Sequence, residues 1–231
     1  RCPSLSDLPP PPGKTGWPWT EESKQLPEKM PDGSPWPRMS IVTPSHNQGQ
    51  FLEETIRSVL LQGYPNLDYI IIDAGSIDNS IEIIKKYEPW LSYWISEKDN
   101  GQSQAINKGF RKSTGTILGW INSDDYYYPN ILKSIAQKFV KYPKIALLHG
   151  YENYVDIYGN VMNVYFPCFK SARAVTLYSG NTLLQLTCFF RREEFFAVGG
   201  LDETLHFYLD HDLFLRMSYY HPSKYVPLCV G

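Results

Sequence analysis

From residue 39 onward, short apolar runs alternate with amphipathic stretches. Met39–Thr43 (MSIVT), Leu67–Asp73 (LDYIIID), Leu91–Ser96 (LSYWIS), Thr116–Asn122 (TILGWIN) and Ile145–Leu148 read as buried strands. Between them, Gln50–Gln62, Asn79–Tyr87, Gly101–Lys112 and Asn130–Tyr142 read as helices. In the first of these, Leu52, Ile56, Val59 and Leu60 fall on one face. This order predicts an α/β fold, a mostly parallel sheet with helices on both faces. Ligands on such sheets bind beyond the carboxyl ends of the strands. After Gly150 the alternation fades. Tyr154–Asp156 and Val161–Tyr165 flank a hairpin turn, Ile157-Tyr158-Gly159-Asn160. A strand at Leu186–Arg191, a short helix, the turn Gly199-Gly200 and a helix near Leu209–Tyr219 follow.

Residues 1–38 carry a different pattern. They hold ten of the 18 prolines, including Pro9-Pro10-Pro11-Pro12. Proline lacks an amide hydrogen and has a fixed φ, so the segment can form neither a regular helix nor a central strand. An extended arm is predicted, pinned to the body by Trp17, Trp19 and Trp36. The predicted organisation is an arm over 1–38 and one domain over 39–231. That domain divides into a ligand-binding half, 39–150, and a half facing a second substrate, 151–231.

Composition narrows the function classes. The net charge is −2, from 22 Lys and Arg against 24 Asp and Glu, so no broad basic field points to nucleic acid. Cys2, Cys168, Cys188 and Cys229 form no C-x-x-C pair, which argues against a zinc site or a disulfide framework and for a reducing compartment. No run approaches the ~18 apolar residues of a membrane span. The start, Arg1-Cys2-Pro3-Ser4, lacks the apolar stretch of a signal peptide. A cytoplasmic protein is expected, with peripheral docking at the inner face of the membrane as an option. The start without Met and the stop at Val230-Gly231 read as a fragment lacking a C-terminal acceptor-binding or membrane-docking part. Aromatic residues, at 15%, suit sugar stacking and a Tyr-rich core equally.

Four clusters could carry chemistry. The loop Thr43-Pro44-Ser45-His46-Asn47-Gln48-Gly49 leaves a strand end and enters a helix, so its backbone N–H groups can face a ligand. It has no G-x-G-x-x-G or P-loop pattern. Asp73 ends a buried strand, where a carboxylate can accept a hydrogen bond from a base N–H; Asp78 or Ser76 suits a cap on the next helix. Asn122-Ser123-Asp124-Asp125 places two carboxylates side by side. These repel unless a cation or donors compensate them, and a hard divalent ion takes carboxylate together with phosphate oxygens. The same residues also suit a polar turn with a helix cap. In Asp210-His211-Asp212-Leu213-Phe214-Leu215-Arg216, the four-residue spacing pairs Asp212 with Arg216. Asp210 stands at a helix start as an N-cap or a general base.

Taken in order, several runs resemble one family. They are Ile41-Val42-Thr43-Pro44-Ser45-His46-Asn47, then Asp73-Ala74-Gly75-Ser76 with Asp78 and Ser80, then Asn100-Gly101-Gln102 with Ala105, Asn107 and Gly109. Asn122-Ser123-Asp124-Asp125, Gly199-Gly200-Leu201-Asp202-Glu203 and Asp210 to Arg216 complete the set. The pattern is similar to family 2 of the inverting GT-A glycosyltransferases and covers about residues 39–220. The resemblance implies a GT-A, Rossmann-like fold and a single-displacement transfer of sugar from a nucleotide-sugar donor, UDP-linked in the usual case. The acceptor would be a hydroxyl on a glycan, a lipid-linked molecule or another compound. Asp73 would read the base; Pro44, His46, Asn47, Lys98, Asp99, Gln102, Asn122 and Ser123 would line the donor. Asp124, with Asp125, would hold Mn²⁺ or Mg²⁺ on the diphosphate, and Asp210 would be the base.

Two positions depart from the family pattern: Asn122 replaces the first Asp of D-x-D, and Leu209 replaces the Glu before the base. They leave a catalytically inactive nucleotide- or sugar-binding module as the alternative. A nucleotidylyltransferase would need a Gly-rich loop bearing Lys or Arg after the first strand, and Pro44–Gly49 has neither cation.

Overall fold

The computed structural model describes residues 2–157, 159–167 and 183–231. Its elements follow the predicted alternation through the first half: β1 (Met39–Ser45), α1 (Gly49–Leu60), β2 (Leu67–Asp73), α2 (Ser80–Tyr87), β3 (Tyr93–Ser96), α3 (Gln102–Lys112), β4 (Ile117–Trp120) and α4 (Ile131–Lys141). Then come β5 (Leu147–Val155), β6 (Val161–Tyr165), β7 (Phe189–Arg191), α5 (Arg192–Ala197), α6 (Leu209–Tyr220) and β8 (Ser223–Cys229).

The strands form one sheet in the order β3-β2-β1-β4-β7-β5-β6, with β8 also paired to β5. β1 runs parallel to β2 from Met39↔Leu67 to Ser45↔Asp73, so both strands end at the same level. β4 pairs in parallel on the other side of β1, and β3 on the outer side of β2. Central parallel strands are covered on both faces, which is why β1 is buried at every position and reads as an apolar run. One apolar cluster lies on the side of α1, α2 and α4 and includes Leu52, Ile56, Ile84 and Leu132. The other lies on the side of α3 and α6 and includes Ile106, Phe110, Leu213 and Phe214.

The second half corrects the sequence reading in two places. The stretches read as two strands, Ile145–Leu148 and Tyr154–Asp156, overlap the two ends of one nine-residue strand, β5. It pairs antiparallel with β6 across the expected hairpin, whose Tyr158 lies outside the described residues. Of the strand expected at Leu186–Arg191 only β7 forms; Leu186 and Thr187 belong to a 3₁₀ turn, Gln185–Thr187. β7 is antiparallel to both β4 and β5, within a sheet that is mostly parallel as expected.

The arm is packed onto the body. Trp36, Met30 and Leu8 join the core on the α1 side, and Trp19 is buried. The Trp17 indole N–H donates to the Tyr127 carbonyl at 2.7 Å. Arg57, fully buried on α1, donates to the carbonyls of Pro9, Pro18 and Trp19. Among the described residues, Cys2, Cys188 and Cys229 are free thiols, and Cys168 lies outside those residues. Among the described residues no helix is long and apolar enough to cross a membrane.

Candidate active site

The ends of β1 and β2 are tied together by the residues that follow them. Asp73 is fully buried and accepts hydrogen bonds on Oδ2 from the Gly75 N–H (3.1 Å), the Ser76 N–H (2.9 Å) and the Ser96 hydroxyl (2.6 Å). Its Oδ1 accepts from the Ser76 hydroxyl. These bonds fold the loop after β2 back toward α1. The Asn47 N–H donates to Ser76 Oγ, and the Ile77 N–H to Asn47 Oδ1. The Gln48 N–H donates to Ser80 Oγ, and the Gly49 N–H to Asp78 Oδ2. Asp78 therefore caps α1 as well as its own helix, where Oδ1 accepts from the Ser80 N–H. Burial pushes the Asp78 carboxyl up, but the hydrogen bonds from Ser80 and Gly49 outweigh it and hold its pKa below the ordinary value.

Above these loops lies a cavity of about 860 Å³. It collects Pro44, His46 and Asn47 from the first loop, Lys98 and Asp99 after β3, Gln102 from α3, and Asn122, Ser123 and Asp124 after β4. Nine of the predicted site residues thus share one wall system at the carboxyl ends of the strands. Asp99 directs Oδ1 to the Gly101 N–H at 3.0 Å, whereas its Oδ2 is buried without a protein partner. A buried carboxylate oxygen left without a donor is costly, and this one belongs to a residue of the cavity wall.

Three predicted residues, Asp73, Asp125 and Asp210, stand outside this cavity. Asp73 does not line it, because both of its oxygens are occupied by the loop they organise. Asp125 lines a second cavity, on the side of the arm, which Asp124 also borders. Burial, with the nearby charges of Asp124 and Glu152, raises the Asp125 pKa to about 7, while a hydrogen bond from Asn122 lowers it. Burial likewise raises Glu152 to about 7. Asp124 itself is exposed and makes no hydrogen bond or ion pair among the described residues. Nor do those residues contain a cluster of three His, Cys, Asp or Glu side chains able to hold a metal alone. An ion here would need oxygens from a ligand beside Asp124, and a diphosphate carries such oxygens.

Asn122 has a structural reason to be an amide. It accepts from Gln102 Nε2 at 2.7 Å and donates to Gln185 Oε1 at 2.9 Å, and Gln185 in turn donates to the Trp120 carbonyl at 2.8 Å. A carboxylate at 122 could not donate, and it would add a third negative charge beside Asp124 and Asp125. Gln185 was invisible to the sequence reading because its partners lie more than sixty residues earlier.

Asp210 lies in the first turn of α6 and lines a smaller cavity of about 250 Å³ with His206, Phe207 and Tyr208. This cavity adjoins the larger one through Gln102 and Asn122, which line both. Asp210 and Asp124 therefore sit in neighbouring cavities on either side of the Gln102–Asn122 pair, not in a single pocket. Asp210 makes no hydrogen bond or ion pair among the described residues. Leu209, the residue before it, is buried in the core cluster on the α3 side, a place unsuited to a carboxylate. Asp212 pairs with Arg216 as expected, at 2.6 Å, and Arg216 also donates to the carbonyls of Val198 and Gly200.

The chain is similar to known proteins in sequence and in fold. The O-antigen biosynthesis protein RfbC of Myxococcus xanthus is 28% identical over 187 residues, 79% of this chain and 14% of RfbC. Residues 1–349 of S. aureus TarS, solved in complex with UDP-GlcNAc, superpose with a TM-score of 0.67 at 16% identity, covering 84% of this chain and 57% of that one. The mannosyltransferase PcManGT of Pyrobaculum calidifontis, solved with GDP-Man and Mn²⁺, gives a TM-score of 0.60 at 18% identity over 88% of this chain and 59% of that one. The chain thus spans less than two thirds of each of these proteins, and the two structures share its GT-A fold. Residues 40–199 match the profile of glycosyl transferase family 2. That match covers more than two thirds of the sequence, and the chain belongs to glycosyl transferase family 2.

Proposed function

We propose that the chain transfers a sugar, with inversion, from a nucleotide-diphosphate sugar in the 860 Å³ cavity to an acceptor hydroxyl beside Asp210. The observation that carries this reading is the pair of adjoining cavities. One is lined by Asp99, which has an unpartnered oxygen, and by the exposed Asp124; the other has a carboxylate with no protein partner. UDP is the proposed nucleotide, supported by the UDP-GlcNAc complex of TarS. A divalent ion on Asp124 is supported by the Mn²⁺ complex of PcManGT. Bound there, Mg²⁺ or Mn²⁺ supplies charge neutralisation for the leaving diphosphate.

The residues then divide the work. Asp99, with Pro44, His46, Asn47 and Lys98, holds the nucleoside and sugar. Gln102, Asn122 and Ser123 keep the sugar between the two cavities. Asp210 takes the proton from the acceptor hydroxyl as its oxygen attacks the anomeric carbon. The bond from that carbon to the diphosphate oxygen breaks on the opposite face, so configuration inverts.

The test is a donor panel with Mn²⁺ on the protein and two variants. Asp124→Ala should lose metal-dependent binding of the nucleotide diphosphate and keep its fold. Asp210→Asn should keep that binding and lose transfer by ~10²–10⁴-fold, the usual worth of a general base. Full transfer by Asp210→Asn would move the base elsewhere. Donor binding without turnover by the unaltered chain, whatever acceptor is offered, would favour an inactive binding module, the reading that Asn122 and Leu209 leave open.

A further inference from the structure

Of the residues given a role above, only Asp124 borders the cavity on the side of the arm. It measures about 690 Å³, and one wall comes from the proline-rich arm, outside the residues that match the family profile. Trp17 of the arm, Phe51 of α1 and Tyr154 of β5 supply aromatic surface; Asn153, Asp124 and Asp125 supply hydrogen-bonding groups. The one cation among its described lining residues, Lys14, is engaged: its Nζ is 3.2 Å from Glu54 and 4.5 Å from the centre of the Trp19 ring. A phosphate or an acidic sugar would meet carboxylates and no free positive charge. Aromatic faces interleaved with amide and carboxylate oxygens match the alternating C–H faces and hydroxyl edges of an uncharged pyranose.

The position of the cavity matters as much as its lining. It meets the proposed donor cavity at Asp124, which borders both. It also lies against the 3₁₀ turn Gln185–Thr187: Leu186 faces it, and Gln185, the preceding residue, faces the Asp210 cavity. The arm cavity and the Asp210 cavity thus border the same turn through successive residues. We propose that the arm cavity binds the remote units of a neutral oligosaccharide acceptor. The arm then helps to select the substrate as well as bracing the fold. This inference rests on the reading of the chain as a sugar transferase and adds the class of its acceptor.

Tyr154 is the residue to test, because it is 65% exposed and its truncation leaves the core untouched. Short neutral oligosaccharides of glucose and of N-acetylglucosamine are titrated into the protein while tryptophan fluorescence is followed. Sulfated oligosaccharides of the same lengths serve as the anionic comparison, and UDP with Mn²⁺ is titrated separately. The expected result is saturable binding of a neutral oligosaccharide that weakens about tenfold in Tyr154→Ala, the scale of one aromatic contact. Tyr154→Phe should retain it, and UDP affinity should be equal in all three proteins. Equal sugar affinity in Tyr154→Ala, binding of the sulfated sugars alone, or UDP binding with no response to any neutral sugar would overturn the proposal. Failure of UDP to bind would count against the donor site, a separate outcome from failure of the arm cavity.

Discussion

Asp73 and Asp99 are carboxylates after neighbouring strands, and the fold uses them differently. Asp73 receives four hydrogen bonds from its own surroundings, whereas Asp99 keeps one buried oxygen without a partner. Asp73→Ala would strand the Gly75 and Ser76 amides and two hydroxyls. It should cost about 1–3 kcal/mol of stability, with donor affinity falling indirectly as the loop loosens. Urea unfolding beside a UDP titration checks this; lost affinity at unchanged stability would return Asp73 to the base-contact role. From sequence the two carboxylates look alike, because the deciding partners, Ser96 for one and none for the other, depend on how three loops converge. Asp125 and Glu152 give a pH signature. Their folded pKa values of about 7 exceed the unfolded values of about 4, so the folded state binds more protons between these limits. Their stabilising contribution is full below about pH 4 and is lost as pH rises through about 7. Asp125→Asn should therefore gain melting temperature over the unaltered protein at about pH 8 and little at about pH 4. His149, whose burial lowers its pKa to about 4, acts with the opposite sign in both proteins and cancels in the difference. A difference that stayed constant with pH would refute the assignment.

Among the elements, the first four strands were legible because each is an apolar run bounded by a helix of the right period. Of the later strands, β6 was legible with its bounds, whereas β5 and β7 were read only in part, for reasons that lie in pairing. β7 has three residues, too few for any period, and its antiparallel partners are set by tertiary contact. β5 passes from buried to half-exposed along its length as it leaves β7 for β6, so its second half lacks the apolar signal of its first. α3 shows how an element positions the site. Gly109 lets this helix lie against β1: a Cβ there would come within 2.5 Å of Val42 Cγ1 and 2.9 Å of Cγ2. Val42 is fully buried and β-branched, with little freedom to turn away. Gly109→Ala should thus push the helix off the sheet, at a cost of about 1–3 kcal/mol despite alanine's better helix propensity. Gln102, at the other end of the helix, would shift against Asn122, so donor affinity should drop as well. A Gly109→Ala protein as stable as its parent would mean that the contact relaxes without moving α3.

At the scale of the whole molecule, the arm is part of the folded unit. Its proline content was legible, and so was its attachment by tryptophan; Arg57 was not, since an arginine in the helical pattern of α1 reads as a surface residue. In the structure it is fully buried, its guanidinium held by the carbonyls of Pro9, Pro18 and Trp19 and by the Tyr87 hydroxyl. A buried charge is tolerated only when its donors are satisfied, and here the arm provides three of the four acceptors. Deleting residues 1–36 should lower stability in two ways: it exposes the apolar surface now covered by Trp36, Trp19 and Leu8, and it strands the guanidinium. The two effects are separable. Combining the deletion with Arg57→Leu removes the stranded charge and should recover part of the loss, whereas Arg57→Leu with the arm in place should destabilise, because the three carbonyls lose their donor. Urea unfolding of the three variants measures both effects. An unchanged midpoint on deletion would mean that the body folds without the arm. A deletion that costs the same with Arg57 present as in the Arg57→Leu background would mean that the guanidinium finds water once the arm is gone.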